Sequence, residues 1–358
     1  MKMMTIDGSQ GEGGGQMLRT GLSLSATTGR PLRLINIRAG RSKPGLRPQH
    51  LTAVRAVAAT CDAEVEGDTI DSQELTFYPA GPPHADDFIF NVEEAARHGS
   101  AGAVTLIFQA ILWPLVFADS PSRVVLRGGT HVPFSPPYHY LAEVARPAFA
   151  RFRAYFDLSL NRWGWAPAGK GEIAATIRPV PRLEAATFEP VAGGRVHGVA
   201  AVTNLPSHIP QRMAGRAHNL LREAGLKTSI QPLRETAEGP GAGIFLWLPQ
   251  AGFGALGRQG LPSETVAETA VAELLAFIEN ESAAVDAHLA NQLLLPMALA
   301  HGTSSLTTDR LTRHTLTNAE ILRRWLDVTI TVEGELGEPG TITVEGAAFT
   351  VEDDVDAS

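Results

Sequence analysis

The chain has 358 residues, of which 44% are hydrophobic, and its formal net charge at pH 7 is -8. This length predicts roughly two domains, and the acidic balance argues against bulk coating of nucleic acid while leaving room for a local basic pocket. The single cysteine, Cys61, excludes an internal disulfide and a cysteine zinc cluster. No apolar run approaches the roughly 18 residues of a membrane span, and the first residues lack signal-peptide character, so a cytoplasmic location is expected.

The first part of the chain predicts the order strand, helix, strand, turn, helix, strand, strand. Two helices are indicated where apolar residues recur at core spacing, as at Leu22 in the first and Val54 in the second. A basic turn over residues 39–45 separates the second strand from the second helix. The predicted strands are 4–6, 31–38, 63–66 and 75–78, and the predicted helices are 16–27 and 47–61.

The same order of elements recurs along the chain. A second copy has strands 87–92, 122–126, 156–160 and 173–178 and helices 102–118 and 138–152. A third copy has helices 285–299 and 319–326 and strands 304–308, 328–332 and 341–344. A repeated unit of this kind indicates three similar blocks packed together.

Between the second and third copies the pattern breaks into strands 196–202, 227–232 and 241–248 and helices 208–224 and 263–279. The predicted fold class is therefore α/β (α+β), with three βαβαββ repeats forming a large domain and a smaller inserted α/β domain. The predicted divisions are 1–183 for the first two repeats, 184–279 for the inserted domain and 280–358 for the third repeat. The acidic tail from Glu352 is expected to be frayed.

A glycine-rich stretch from Asp7 to Gln16 opens a basic run. From Gly13 to Cys61 there is no Asp or Glu, whereas eight Lys and Arg residues fall in that span. Glycines let the backbone approach a ligand closely, and the helix that follows offers free N–H groups to an anion. Glu12 is the one acid in the loop that could bind a metal or a hydroxyl. The alternative is a turn followed by a solvated basic face.

Two nucleotide-binding motifs are approached but not matched. Residues 164–170 fit the first seven positions of a P-loop, but Gly171 stands where Ser or Thr should follow, and the next residues predict a strand rather than a helix. Residues 11–15 have the wrong spacing for a dinucleotide-binding fingerprint. The histidines show no H-E-x-x-H motif and no close metal pair, so a zinc site is not expected.

One histidine, His314, stands out. Thr317 and Glu320 have the spacing of a capping box, which predicts that a helix begins just after Thr317 and that His314 lies in the preceding turn. A helix N-terminus favours neutral imidazole and a nearby phosphate. The alternative is a histidine that hydrogen-bonds its own turn. Polar residues on otherwise apolar helices, Gln109 among them, need partners from the backbone or from a ligand.

Taken together, five segments resemble the RNA 3′-terminal phosphate cyclase family. They follow the family's order across nearly the whole chain. The segments are 7–19, 37–51, 165–172, 288–297 and 314–318. The resemblance implies three βαβαββ repeats with an inserted α/β domain, in agreement with the element order above.

The resemblance also implies a reaction. ATP adenylates a histidine and releases pyrophosphate, and the AMP then passes to an RNA 3′-phosphate end. The neighbouring 2′-hydroxyl attacks the activated phosphate to give a 2′,3′-cyclic phosphate and AMP. A divalent metal, Mg or Mn, is expected, and the expected partner is an RNA 3′-phosphate end.

The family match implies roles for particular residues. His314 is the expected catalytic residue, and Glu12 is expected at the nucleotide or metal site. The other residues expected to bind ATP are Gln109, Pro136, His288, Leu289, Ala290, Asn291 and Gln292. Those expected to bind phosphate or the RNA end are Arg19, Arg38, Arg41, Gln49 and His50, with the three arginines and His50 as local cations. Two positions depart from the family pattern: Asn291 stands where Asp is common, and Lys170 stands in a run that is usually glycine.

Two alternatives share the repeat architecture. One is a non-catalytic cyclase-like scaffold of RNA processing, which lacks the nucleophilic histidine. The other is an enolpyruvyl transferase, which binds phosphoenolpyruvate and needs no adenylated histidine. The presence of His314 favours the enzyme over the scaffold.

Overall fold

A computed structural model describes residues 2–96, 100–190 and 194–351. The predicted acidic tail from Glu352 lies outside the described residues. The described chain forms four separate sheets with helices packed against them, and the mixed α+β class is confirmed. Within these residues no helix combines the length and the apolar character that crossing a bilayer requires.

The first repeat forms a four-stranded sheet in the order β1-β2-β4-β3. Strands β1 and β2 are parallel, and the other neighbours are antiparallel. Its elements are β1 (Met4–Asp7), α1 (Gly15–Thr28), β2 (Leu32–Ile35), α2 (Pro48–Ala59), β3 (Glu64–Glu66) and β4 (Leu75–Tyr78). The predicted order is confirmed, and β2 is shorter than predicted because Asn36 and Arg38 adopt left-handed backbone conformations that end the strand.

The second repeat has the same topology, with the sheet order β5-β6-β8-β7. Its elements are β5 (Asp87–Asn91), a 3-10 turn (Val92–Ala95), α3 (Val104–Val116), β6 (Ser122–Gly128), α4 (Tyr138–Tyr140), a π-helical turn (Leu141–Ala145), α5 (Arg146–Ala150), β7 (Tyr155–Arg162) and β8 (Gly171–Arg178). The single helix predicted over 138–152 is therefore continuous but widened by the π turn. A strand follows Lys170, as expected for a sequence that is not a P-loop.

The third repeat has a three-stranded sheet in the order β13-β15-β14. Its elements are α8 (Ala287–Leu299), β13 (Thr303–Thr308), α9 (Arg313–Trp325), β14 (Thr329–Glu333) and β15 (Gly340–Glu345). The position of a first strand is taken by residues 184–188, which bridge to β13 in parallel at Thr187 and Ser305. The chain thus reaches the third sheet before it enters the inserted domain. The domain boundaries expected near residues 184 and 279 stay a prediction.

The inserted segment builds its own four-stranded sheet, in the order β10-β9-β11-β12. Its elements are β9 (Arg195–Thr203), α6 (His208–Glu223), β10 (Lys227–Glu235), β11 (Gly241–Leu248), β12 (Ala251–Leu256) and α7 (Ser263–Glu279). Both helices pack on the sheet through a separate apolar core that includes Met213 and Leu274. Strand β12 was not predicted, because Gly252 and Gly254 remove half of its side-chain pattern.

The three repeats share one hydrophobic core. Leu22 on α1, Ile111 on α3 and Leu294 on α8 are all fully buried in it. Helix α3 is apolar on nearly every face, as a helix surrounded by other elements should be. This central packing sets the directions of the helices, and it brings the N-terminal ends of several of them to one side of the large domain.

Candidate active site

A cleft of about 1300 Å³ lies where four helices begin. It is lined by residues from the first turns of α1, α2, α8 and α9. These residues are Gly15, Gln49, His50, Ala287, His288 and His314. Each helix start carries the positive end of the helix dipole and backbone N–H groups that have no partner within the helix. Their convergence makes the cleft suited to a ligand that carries several phosphate charges.

His314 lies inside the first turn of α9 rather than in a preceding turn. The helix begins at Arg313, and the Thr312 hydroxyl caps it by accepting from the Thr315 N–H at 3.2 Å. The predicted capping box at Thr317 is therefore wrong. Thr317 lies within the helix, and its hydroxyl accepts instead from the backbone N–H of Glu12 at 3.0 Å. Both Thr312 and Thr317 have the sequence character of an N-cap, but Thr317 binds the glycine-rich loop instead.

Glu12 connects the glycine loop to the basic turn and to His314. Its side chain is only 3% exposed, and its Oε2 lies 2.9 Å from Arg41 Nη2 and 3.5 Å from His314 Nδ1. Its Oε1 accepts from the backbone N–H of Gln16 at 3.2 Å. A Cβ atom at Gly11 would collide with the Thr317 side chain, so glycine is required for this close approach.

The environment of His314 keeps its imidazole neutral near pH 7. Burial lowers its pKa below 6.5; the carboxylate of Glu12 opposes this shift, and Arg19, Arg41 and His288 add to it. The side chain is still 48% exposed, so it faces the cleft and can meet a ligand. A neutral, accessible imidazole beside guanidinium groups is suited to nucleophilic attack on a phosphorus atom.

The three arginines predicted to bind phosphate or the RNA end all line the cleft, namely Arg19, Arg38 and Arg41, and Arg310 lines it as well. Burial lowers the pKa of Arg19 to about 10, which still leaves it charged, and its Nη2 donates to Gln16 Oε1 at 2.6 Å. Arg38 is held by its own turn, because its Nη1 donates to the carbonyls of Lys43 at 2.7 Å and Gly45 at 2.9 Å. These bonds fix the direction of its guanidinium before any ligand binds.

His50 differs from these arginines. Burial, followed by the charges of Arg38, Arg19 and Arg47, lowers its pKa to about 3. The expectation that His50 supplies a positive charge is therefore wrong. Its Nδ1 accepts from the backbone N–H of Arg47 at 3.2 Å, which directs the ring proton to Nε2. His50 offers the cleft a neutral donor.

Most residues predicted to bind ATP also line the cleft. These are Gln109, Pro136, His288, Asn291 and Gln292. Leu289 and Ala290 do not, because both side chains are fully buried in the core of the large domain. Gln49 lines the cleft as well, and its Oε1 accepts from the backbone N–H of Ala103 at 3.0 Å just before α3.

A buried polar network joins three of the cleft helices. Asn318 on α9 donates from Nδ2 to Asn291 Oδ1 on α8 at 2.7 Å, and the hydroxyl of Thr20 on α1 donates to Asn318 Oδ1 at 2.8 Å. These residues border a small cavity of about 30 Å³, which has room for a water molecule. In the described chain, the buried Oε1 of Gln292 beside this cavity has no partner. Thr20 was not identified from sequence, because only the helix packing brings it to Asn318.

The donor set fits a metal that arrives with a nucleotide better than a metal held by protein alone. Across residues 2–96, 100–190 and 194–351, no cluster of three or more His, Cys, Asp or Glu side chains could hold an ion. Magnesium bound to ATP takes most of its ligands from phosphate and water and needs only one or two carboxylates. Glu12, beside the cleft residues Arg41 and His314, is one carboxylate in position to be a ligand. Three other acids line the cleft, namely Glu273, Asp286 and Asp309.

Two features of the cleft were not predicted. Asp286 caps α8 by accepting from the N–H groups of His288 at 2.8 Å and Leu289 at 3.0 Å. An Asp directly before an apolar helix is an N-cap signal that could have identified it. An apolar wall that includes Phe134 and Phe245 also lines the cleft. It could not be predicted, because its members come from separate parts of the chain.

The backbone conformation explains why glycine is usual at the position of Lys170. Lys170 and Gly169 both adopt left-handed conformations, with φ of 55° and 66°. Glycine takes this conformation without strain, whereas a lysine pays a modest cost. Lys170 precedes β8 and does not line the cleft.

The fold and the site define a protein of the α+β class whose cleft holds a histidine beside a carboxylate and several arginines. A model of the RNA 3′-terminal phosphate cyclase family matches residues 10–332. The chain therefore belongs to that family, as its resemblance indicated, and it is an enzyme of the family.

Relatives from bacteria and archaea carry the same name. An RNA 3′-terminal phosphate cyclase from Gloeothece citriformis is 49% identical over 328 residues, covering 90% of this chain and 93% of the relative. Those from Methylococcus capsulatus and Archaeoglobus fulgidus are 48% and 39% identical, covering 91% and 93% of this chain and 91% and 98% of the relatives. An enolpyruvyl transferase, NikO from Streptomyces tendae, aligns with a TM-score of 0.40 at 13% identity, over 97% of this chain and 48% of that one.

Proposed function

We propose that this enzyme uses ATP to convert an RNA 3′-terminal phosphate to a 2′,3′-cyclic phosphate, with AMP carried in between on His314. A phosphate monoester has a poor leaving group, and linking it to AMP removes that obstacle. Covalent catalysis divides the work into steps that each have a good leaving group. The family membership supports the overall reaction, and the geometry around His314 supports the intermediate.

In the first step, Nε2 of His314 attacks the α-phosphorus of ATP. The contact of Nδ1 with Glu12 at 3.5 Å favours the tautomer that carries its proton on Nδ1, which leaves the Nε2 lone pair free. A nitrogen–phosphorus bond forms, and the bond from the α-phosphorus to pyrophosphate breaks. Arg19 and Arg41 lie on the same cleft and can neutralise the charge that develops on the phosphate oxygens.

In the next steps, an oxygen of the RNA 3′-phosphate attacks the phosphorus of the bound AMP. The nitrogen–phosphorus bond breaks, and its electron pair returns to His314. The 2′-hydroxyl then attacks the 3′-phosphorus and loses its proton, and AMP departs with the electrons of its phosphate bond. This closure depends on positioning and on charge neutralisation, which Arg38 and the starts of α1 and α2 can supply.

A divalent metal, magnesium or manganese, would neutralise phosphate charge when bound with ATP. Glu12 is the residue we assign to hold it. Gln109, Asn291 and Gln292 are assigned to the nucleotide, since they line the cleft next to the small cavity. His288, which lines the cleft at the start of α8, is assigned to it as well.

The observation that carries this proposal is the state of His314. It is a neutral, half-exposed imidazole in the first turn of a helix, with one ring nitrogen against a buried carboxylate and guanidinium groups nearby. A non-catalytic scaffold would not need this arrangement, and an enolpyruvyl transferase would not use it to form a covalent bond to AMP.

The test is to incubate the protein with labelled ATP alone and to locate the retained AMP by mass spectrometry. We expect AMP on His314 through a phosphoramidate, a bond that acid cleaves and alkali spares. His314→Ala should reduce adenylation at least about 1000-fold, since an enzyme loses most of its rate without its nucleophile. His218→Ala is the matched control, because His218 is exposed on α6 of the inserted domain.

The outcomes separate the alternatives. AMP found on another residue, or active enzyme with none retained, would overturn the assignment of His314. The His314→Ala variant should still close RNA that already carries an adenylylated 3′-phosphate, because that closure needs only a positioned 2′-hydroxyl. Loss of this activity too would mean that His314 acts in closure as well.

A further inference from the structure

The cleft has a second wall that the proposed chemistry does not use. It is apolar and aromatic, and it comes from the second repeat and from β11 of the inserted domain. Its members include Leu106, Val132, Phe134, His139, Phe245 and Trp247. It belongs to the same cleft as the arginines of the first repeat, so one groove combines a cationic side with an aromatic side.

Phe134 is the unusual member of this wall. It is fully exposed, at 104% of the reference area, and its backbone is left-handed with φ of 62°. Its loop is fixed on both sides, because the Ser135 hydroxyl donates to the Val132 carbonyl at 2.9 Å and the Thr105 hydroxyl donates to the Pro136 carbonyl at 2.7 Å. A left-handed conformation is strained for a bulky residue, and the exposed ring gains nothing from burial. Packing in the free protein therefore does not account for Phe134.

We infer that Phe134 stacks on a base of the RNA substrate, namely the base that precedes the terminal nucleotide. This inference rests on the proposed function. Proteins that bind single-stranded RNA combine a positive groove for the backbone with aromatic side chains on which bases stack. Arg38 and Arg41 supply the positive side here, and Phe134 presents a ring face that is free of protein contact.

The position of Phe134 favours RNA over the adenine of ATP. Three of the residues assigned to the nucleotide, Gln109, Asn291 and Gln292, border both the cleft and the small cavity, whose other lining residues are mostly buried, so these three lie toward the floor of the cleft. Phe134 is open to solvent and therefore lies at the mouth. A mononucleotide can be enclosed at the floor, whereas an RNA chain that presents its 3′ end there must leave through the mouth.

The experiment compares Phe134→Ala and Phe134→Trp on two substrates. One is a short single-stranded RNA that ends in a 3′-phosphate, and the other is a nucleoside 3′-monophosphate, which has no preceding base. For the RNA, we expect Phe134→Ala to raise KM on the order of 10-fold with kcat unchanged, and Phe134→Trp to restore it. For the monophosphate, all three proteins should have the same KM. Ile89→Ala is the control, since Ile89 is 61% exposed on β5 and away from the cleft.

Two results would overturn the inference. An unchanged KM for the RNA in Phe134→Ala would mean that no base stacks on this ring. Slower adenylation of Phe134→Ala by ATP alone would assign the ring to adenine instead. If the wild-type protein retains no AMP and closes no RNA, the proposed function itself fails. In that case, the binding of labelled RNA, measured by fluorescence anisotropy, tests the stacking independently of the reaction. Weaker binding by Phe134→Ala supports stacking, and equal binding overturns it.

Discussion

The first turns of α2 and α9 each bring a histidine to the same cleft, yet the two histidines differ. His50 on α2 is buried, with 5% of its surface exposed, whereas 48% of the His314 side chain is exposed. Nδ1 of His50 accepts from the backbone N–H of Arg47, and Nδ1 of His314 faces the carboxylate of Glu12. One ring is held as a fixed neutral donor, and the other presents a free nitrogen to a ligand.

The comparison teaches that a helix N-terminus alone does not define a nucleophile. Both histidines have lowered pKa values, and burial is the main cause in each. What separates them is a buried carboxylate, which orients the ring of His314 and opposes the fall in its pKa.

Glu12→Gln should slow adenylation by ATP about 10- to 100-fold, since residues that orient a reacting imidazole typically have effects of this size. The charge of Glu12 raises the pKa of His314. Its removal should therefore move the acid limb of the pH–rate profile to lower pH, because the neutral imidazole then persists to lower pH. The measurement is the initial rate of AMP retention against pH. Glu74→Gln, an exposed carboxylate paired with Arg33, should leave both quantities unchanged. A shift of the limb to higher pH would refute this role for Glu12.

Arg41→Ala and Arg38→Ala should each weaken the handling of ATP or of the RNA end. Loss of a charge-assisted contact typically costs about 1.5–3 kcal/mol, or about 10- to 150-fold in kcat/KM. Both changes should also lower the Tm modestly, because Arg38 donates to two carbonyls of its own turn and Arg41 pairs with the buried Glu12, so the Tm of each variant is measured beside its activity. Arg55→Ala is the control: Arg55 belongs to the same basic run but pairs with Asp68 outside the cleft. If both variants cyclise RNA at the wild-type rate, the basic run does not belong to the active site.

Asn291→Asp should preserve adenylation to within a few-fold. An aspartate can still accept from Asn318 Nδ2, so the buried network stays intact. The added negative charge lies near Arg19, which borders the same small cavity, and it should alter the dependence of the rate on metal and on pH. The measurement is adenylation across a series of magnesium and manganese concentrations. If the variant and the wild type give identical curves, having an amide rather than a carboxylate at this position has no effect on adenylation.

His50→Gln should have the smallest effect on activity, because glutamine keeps a neutral donor at this point of α2. Its pH–rate profile should match the wild type, since His50 with a pKa of about 3 does not titrate near neutral pH.

The effect on stability should be clearer. In the wild type, the unfolded chain gains a proton at this histidine near pH 6.5 and the folded chain only near pH 3, so His50 makes stability fall as pH falls through this window. His50→Gln should therefore lose less Tm between pH 6.5 and pH 4. If the Tm values of the variant and the wild type fall in parallel as the pH is lowered, His50 is not buried and neutral in the folded protein. If the pH–rate profile of His50→Gln is shifted, His50 has a role like that of His314.

The order of elements and the location of the candidate site could be predicted from the sequence. Apolar periodicity is local, so α1, α3 and α7 were predicted with ends within a few residues of those observed. The glycines around Glu12 and the basic run behind it are contiguous in sequence, so the arginines on this side of the cleft could be recognised from the sequence. The segment around His314 carried the family pattern and indicated a nearby helix start, but it placed that start after Thr317, whereas α9 begins at Arg313.

What the sequence left open depends on partners that are distant along the chain. Thr312 and Thr317 both precede helical residues, and only the Glu12 N–H, 305 residues away, decides which of them caps α9. The neutral state of His50 is a property of burial among charges, which periodicity does not report. The aromatic wall at Phe134 exists because the second repeat and the inserted domain meet across the cleft. Sequence determines the elements through short-range patterns, whereas charge states and shared surfaces arise only when those elements pack.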